Sequence, residues 1–133
     1  MLDLDKIIIN GAFYELFEKT FGDDFFRIIA QMRSTPRIAG FRKKKEEELT
    51  AEQKEELFAD NLRMASIMKK QSGRIAYIGN KLFKKEYTTC SYSDYLDWLA
   101  GTNAVDFQNP EIIQKIWDKV TADQAMPKSV KNA

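Results

Sequence analysis

Helix-start signals recur along this chain of 133 residues, and they constrain its fold more than any other feature. The clearest is Thr50-Ala51-Glu52-Gln53, a capping box: the threonine hydroxyl accepts the backbone N–H three residues on, and the glutamine reaches back to the cap. Behind it, Leu57, Phe58, Leu62, Ala65, Ile67 and Met68 are expected to line one side of a long helix, with Glu55, Glu56, Asp60, Arg63 and Lys69 in water. Ser72-Gly73 is expected to interrupt it. Ile75, Ala76, Ile78, Leu82 and Phe83 then resume the apolar face. Met64 and Met68 fit an ordinary core at this spacing, the alternative being an adaptable binding surface.

Three further starts follow the same logic. Asn109-Pro110-Glu111 combines an Asn cap, a proline where no N–H is needed and an acid in the first turn; Ile112, Ile113, Ile116, Trp117 and Val120 make the face behind it. Ser91-Tyr92-Ser93-Asp94 is a capping box with Asp94 in the usual Glu position, leading into Tyr95, Leu96, Trp98 and Leu99 and stopped by Gly101. After Gly22, Asp23 or Asp24 caps a helix carrying Phe25, Phe26, Ile28, Ile29 and Met32, which Pro36 and Gly40 should end.

Only the amino terminus reads as sheet. Leu2 to Ile9 is apolar and β-favouring, and Asn10-Gly11 is the dipeptide preferred in two-residue hairpin turns. AFYELFEKT is then the returning strand, although Phe13, Leu16 and Phe17 also fit a helical i, i+3, i+4 face. The expected fold class is mainly α: a single small helical domain of about five helices over residues 1–120, with an N-terminal β-hairpin at 1–18. Arg42 to Glu48, RKKKEEE, lies in a charged linker or helix start at 42–49, and 121–133 is expected to be a flexible tail.

Composition narrows the chemistry. With 44% hydrophobic and 31% charged residues the chain is expected to be globular, and its net charge of +1 makes no overall case for nucleic acid or an anionic membrane. Histidine is absent and Cys90 is single, which removes His-based triads, His metal sites and internal disulfides. No glycine pattern makes a phosphate cradle. Asp23/Asp24, Asp94/Asp97 and Asp106/Glu111 are the acidic pairs open to carboxylate chemistry, and each reads more simply as a helix-start acid or a solvated face. The acidic start MLDLDKIIING does not resemble a signal peptide, and no apolar run approaches the roughly 20 residues needed to cross a bilayer. The expectation is a cytoplasmic protein without cofactor, metal or catalytic centre. Trp98, Phe107 and Trp117 should meet between the last two helices, as the core of a helical hairpin or as exposed anchors.

The order of parts resembles the small tail assembly chaperones of long-tailed bacteriophages that infect Gram-positive hosts. The residues that carry this are DLDKIIINGAFYELF, RIAYIGNKLF and SYSDYLDWLAGTNAVDFQNPEIIQKIWDKV; the charged stretch from Arg42 to Glu56 departs from the commoner pattern. The resemblance implies a non-enzymatic protein of the infected host cytoplasm, absent from the mature virion. Such a protein binds the tape measure protein and recruits tail tube subunits. Tyr95, Trp98, Phe107, Ile112, Ile116 and Trp117 are then candidate partner-binding residues, rimmed by Asp94, Asp97, Asp106, Glu111 and Asp118. Self-association is open. The alternative is a small helical regulator or DNA-binding protein using FRKKK.

Overall fold

A computed structural model of the chain describes residues 2–101 and 104–122. Their α-helices are α1 (Gly11–Phe21), α2 (Phe25–Gln31), α3 (Pro36–Arg42), α4 (Ala51–Lys84), α5 (Tyr92–Gly101) and α6 (Pro110–Ala122). Short 3-10 turns at Leu4–Lys6, Glu46–Glu48, Tyr87–Thr89 and Ala104–Gln108 link them. The 34-residue α4 is the spine: α1, α3, α5 and α6 all pack on it, and α2 packs on α1.

The caps behave as their chemistry dictates. Thr50 and Gln53 exchange both capping-box bonds, at 3.1 and 3.0 Å. Asp24 accepts from Phe26 N–H, Ser91 from Asp94 N–H and Asn109 from Glu111 N–H, each at 3.0 Å. Gly22 closes α1 in the left-handed conformation (φ 72°), which costs a residue without Cβ nothing.

The N-terminal β-hairpin at 1–18 does not exist; no strand occurs among the described residues. Asn10 is a helix cap instead, its side chain accepting from Ala12 N–H at 3.0 Å. The helical period wins because Phe13, its neighbour Tyr14 and Phe17 are all buried on one side, whereas a strand would turn the successive residues Phe13 and Tyr14 to opposite faces. Before the cap, Ile7 to Ile9 runs extended along α4, with Ile8 N–H donating to the Gly79 carbonyl (3.0 Å) and Asn80 Nδ2 to the Lys6 carbonyl (3.2 Å). Gly79 permits this, since a Cβ there would overlap Ile7 Cγ2 and crowd the Ile8 backbone.

Two other expectations change. Pro36 starts a helix instead of ending one: Thr35 Oγ1 caps α3, proline takes its first turn, and Gly40 lies inside it. Ser72-Gly73 leaves α4 unbroken. The missing Cβ of Gly73 makes room for Tyr95, whose hydroxyl would lie 2.9 Å from it. Of the stretch expected to be a tail, 121–133, Thr121 and Ala122 are helical; residues 123–133 lie outside those described.

The core is aromatic around α1, α2 and the second half of α4. Phe25 meets Phe13 and Phe17 edge-on at 5.3 and 5.0 Å, and Trp117 stacks on its other side at 6.1 Å. Tyr77, at 0% exposure, sits between Tyr95 and Trp98.

Candidate functional site

Five of the six candidate partner-binding side chains belong to this core. Tyr95, Phe107, Ile112, Ile116 and Trp117 are between 0% and 8% exposed, so they do not form an open groove. Trp117 is anchored further, its Nε1–H donating to the Met68 carbonyl at 3.0 Å. Trp98 is half-buried between Tyr77 and Phe107. Aromatic residues at helical spacing were attractive anchors on sequence, but burial of their large apolar area in the chain's own core is the stronger use.

Five of the six acids in the candidate pairs have partners within the chain, and the sixth, Asp97, is exposed. Asp24 caps α2, and Asp23 reaches Arg74 at 3.3 Å. The buried Asp106 accepts from Leu2 N–H at 2.7 Å, and Glu111 pairs with Lys115 one turn on. Asp94 accepts from the Tyr77 hydroxyl at 2.6 Å and pairs with Lys81 at 3.3 Å. The Tyr77 bond holds the Asp94 carboxyl below the usual carboxylate range, with Lys81 adding to the effect. Burial pushes the Tyr77 hydroxyl far up, and the Asp94 bond pushes it further. Burial raises the nearby Cys90 thiol as well. A phenol and a thiol held protonated are poor bases and poor nucleophiles. The cluster therefore latches the start of α5 to α4.

A second polar cluster fixes the other end of α4. Asp60 accepts from Ser34 Oγ (2.6 Å), Arg42 (2.7 Å) and Arg63 (2.9 Å). The Ser34 bond leads in lowering its pKa to about 2, and the two guanidiniums contribute. Arg63 also donates to the carbonyls of Gln31, Met32 and Arg33 at the end of α2. Arg37 pairs with Glu56 at 2.9 Å, so α2 and α3 cover the side of α4 that carries Glu56, Asp60 and Arg63. Asp60 and Arg63, expected to face water, are engaged here, and Arg42 of the charged stretch turns to Asp60.

On the opposite side of the same turns lies an exposed apolar stripe. At 100° per residue, Phe58, Leu62 and Ala65 point within about 40° of the direction opposite Asp60. Phe58 is 64% exposed and Leu62 55%, the two highest values among the large hydrophobic side chains exposed in the described chain. Sequence grouped them with Leu57, Ile67 and Met68 on one face. Those three are instead half-buried on the covered side. The segment is apolar on two sides, which a one-face reading conceals. A shallow cavity of ≈ 340 Å³ adjoins Phe58 beside Phe41, Leu49 and Leu57. Another, of ≈ 460 Å³, opens where the stripe meets α5, between Lys69, Lys70, Tyr95 and Phe107.

Among the described residues, no group of three acidic or cysteine side chains could hold a metal ion, and no helix is long and apolar enough to cross a membrane. Comparison of the chain with protein-family models, curated proteins and solved structures returns no match.

Proposed function

We propose that the chain is a non-enzymatic assembly chaperone of the tail-assembly kind its sequence resembles, holding apolar helical segments of the tape measure protein before tube subunits enclose them. One observation carries this reading: Phe58 and Leu62 stand exposed one turn apart on the side of α4 opposite the Asp60 ion pairs. An amphipathic client helix offers i, i+3, i+4 apolar ridges, and a helix face with a large aromatic and an aliphatic residue is the surface such ridges fit. The docking site thus moves from the last two helices to the first half of α4. FRKKK is a weaker candidate contact for DNA, because Arg42 is engaged by Asp60 and three glutamates follow the lysines.

The test is binding of tape-measure helical fragments, by titration calorimetry, to the wild-type chain, Phe58→Ser and Trp98→Ala. A complex weakened at least tenfold by Phe58→Ser, with the melting temperature unchanged, is the expected result. Absence of any complex, or equal binding by Phe58→Ser, overturns the reading.

A further inference from the structure

The bare stripe is longer than its apolar centre. Ala51, Glu55, Phe58, Leu62, Ala65 and Lys69 follow one another at intervals of 4, 3, 4, 3 and 4, the spacing of a coiled-coil seam, and all six are exposed. Its ends carry opposite charge. Glu52 and Glu55 lie at the start, Lys69 and Lys70 at the finish, all four exposed and none in an ion pair within the described chain. Beyond Lys69 the same side of α4 is covered by the chain itself, since Tyr95 and Leu99 of α5 lie against Gly73.

We propose that this stripe is a two-fold interface, on which α4 of a second copy lies antiparallel with Phe58 of each chain against Leu62 of the other. Three features select this occupant. The symmetric register pairs 58 with 62, 55 with 65 and 51 with 69, so the bulky residues meet at the centre and the small ones beside them. On the same flank, Glu52 and Glu55 of one chain come beside Lys69 and Lys70 of the other. A parallel pairing would set like charge against like, which is unfavourable. The cavity between Lys70, Tyr95 and Phe107 leaves open the end of the stripe that receives the other chain's α4 N-terminus, where α5 ceases to cover the spine.

Two-fold pairing through one patch is the commonest way soluble chains self-associate. A seam with so few apolar residues is at the small end of specific interfaces, so the dimer is weak and concentration-dependent. Its consequence for the client reading is direct. The stripe is shielded from unspecific apolar contact in the free protein, and a client helix takes the place of the second copy. The dimer itself does not rest on that reading.

Sedimentation velocity of the full chain across a hundredfold concentration range tests it. Monomer at low and dimer at high concentration is expected. Phe58→Glu should shift the midpoint at least tenfold upward without lowering the melting temperature, because the residue is exposed. Glu55→Lys should shift it several-fold upward, and adding Lys69→Glu to the same chain should restore it. A spin label on Lys69→Cys, in a Cys90→Ser background, should read an axial separation of roughly 27 Å between copies. About 10 Å, the spacing of parallel packed helices, would overturn the antiparallel register. A chain that stays monomeric throughout overturns the proposal, even if client binding is intact. A dimer that binds no client supports it and sinks only the chaperone reading.

Discussion

The two halves of α4 are one continuous helix with opposite surroundings. From Gln71 to Asn80, every side chain except Arg74 is buried, enclosed by the N-terminal segment, α1, α5 and α6. From Ala51 to Lys70 none is buried; α3 and the end of α2 cover one side and solvent the other. The second half is held by apolar area and aromatic geometry, the first chiefly by Asp60, Arg63, Arg42 and one buried phenylalanine, Phe41. Few buried apolar contacts and a charge-based hinge mark the arm as the part that opens first. A surface meant to exchange partners belongs on such an element, with the aromatic core as its rigid base.

The largest test of that contrast is Phe13→Ala against Phe58→Ala. Phe13 is fully buried, and its truncation should cost about 3–5 kcal/mol in denaturant melts. Phe58 is mostly exposed, and the same change should stay within about 0.5 kcal/mol. Equal losses would erase the distinction between core and arm.

Next in size is Gly79→Ala. Alanine is the better helix former, yet its Cβ would press on Ile7 and on the Ile8 backbone that bonds to Gly79, so we expect a loss of about 1–3 kcal/mol. The comparison with Gly40→Ala sharpens it. Gly40 is inside α3 with nothing within 4 Å of a new Cβ, and alanine there should stabilise the arm by about 0.5–1 kcal/mol. Melting temperatures of the two variants should therefore move in opposite directions.

The smallest effect is confined to acid. Asp60 has its pKa lowered from 3.8 to about 2, so its contribution to stability is fully present above pH 3.8 and is lost as pH falls towards 2. Hydrogen-exchange protection, taken relative to the intrinsic amide rate at each pH, should fall in α3 and the start of α4 through that window before it does around Tyr77. Asp60→Asn should make arm protection nearly independent of pH there. Simultaneous loss of protection in both halves would show that the arm is no separate unit.

Much of this architecture was legible along the chain. Caps at Asp24, Thr50, Ser91 and Asn109 are local events, completed by a side chain and a backbone N–H two or three residues away, and they stand where sequence put them. The hairpin failed for the complementary reason. Asn10-Gly11 serves a turn or a helix cap equally well, and the choice fell to Phe13, Tyr14 and Phe17, whose common destination is a core assembled from distant segments. The glycines divide in the same way. Gly22 acts through its own backbone, while Gly73 and Gly79 matter only because Tyr95 and Ile7 arrive from elsewhere.

The sequence by itself determined a mainly helical chain, the starts of four of its helices, the absence of histidine and two aromatic-rich helices after the long one. Only the tertiary structure decided which apolar faces were consumed. Trp98 and Trp117 could be core or anchor until α4 supplied Tyr77 and Met68 to meet them, and Phe107 followed by packing on Trp98. Phe58 and Leu62 could have been core until Arg63, Arg42 and Ser34 turned the other side of that helix inward around Asp60. Periodicity reports that a face is apolar. Which of two such faces is buried depends on where residues 18 or more positions away come to rest, and that is settled by packing.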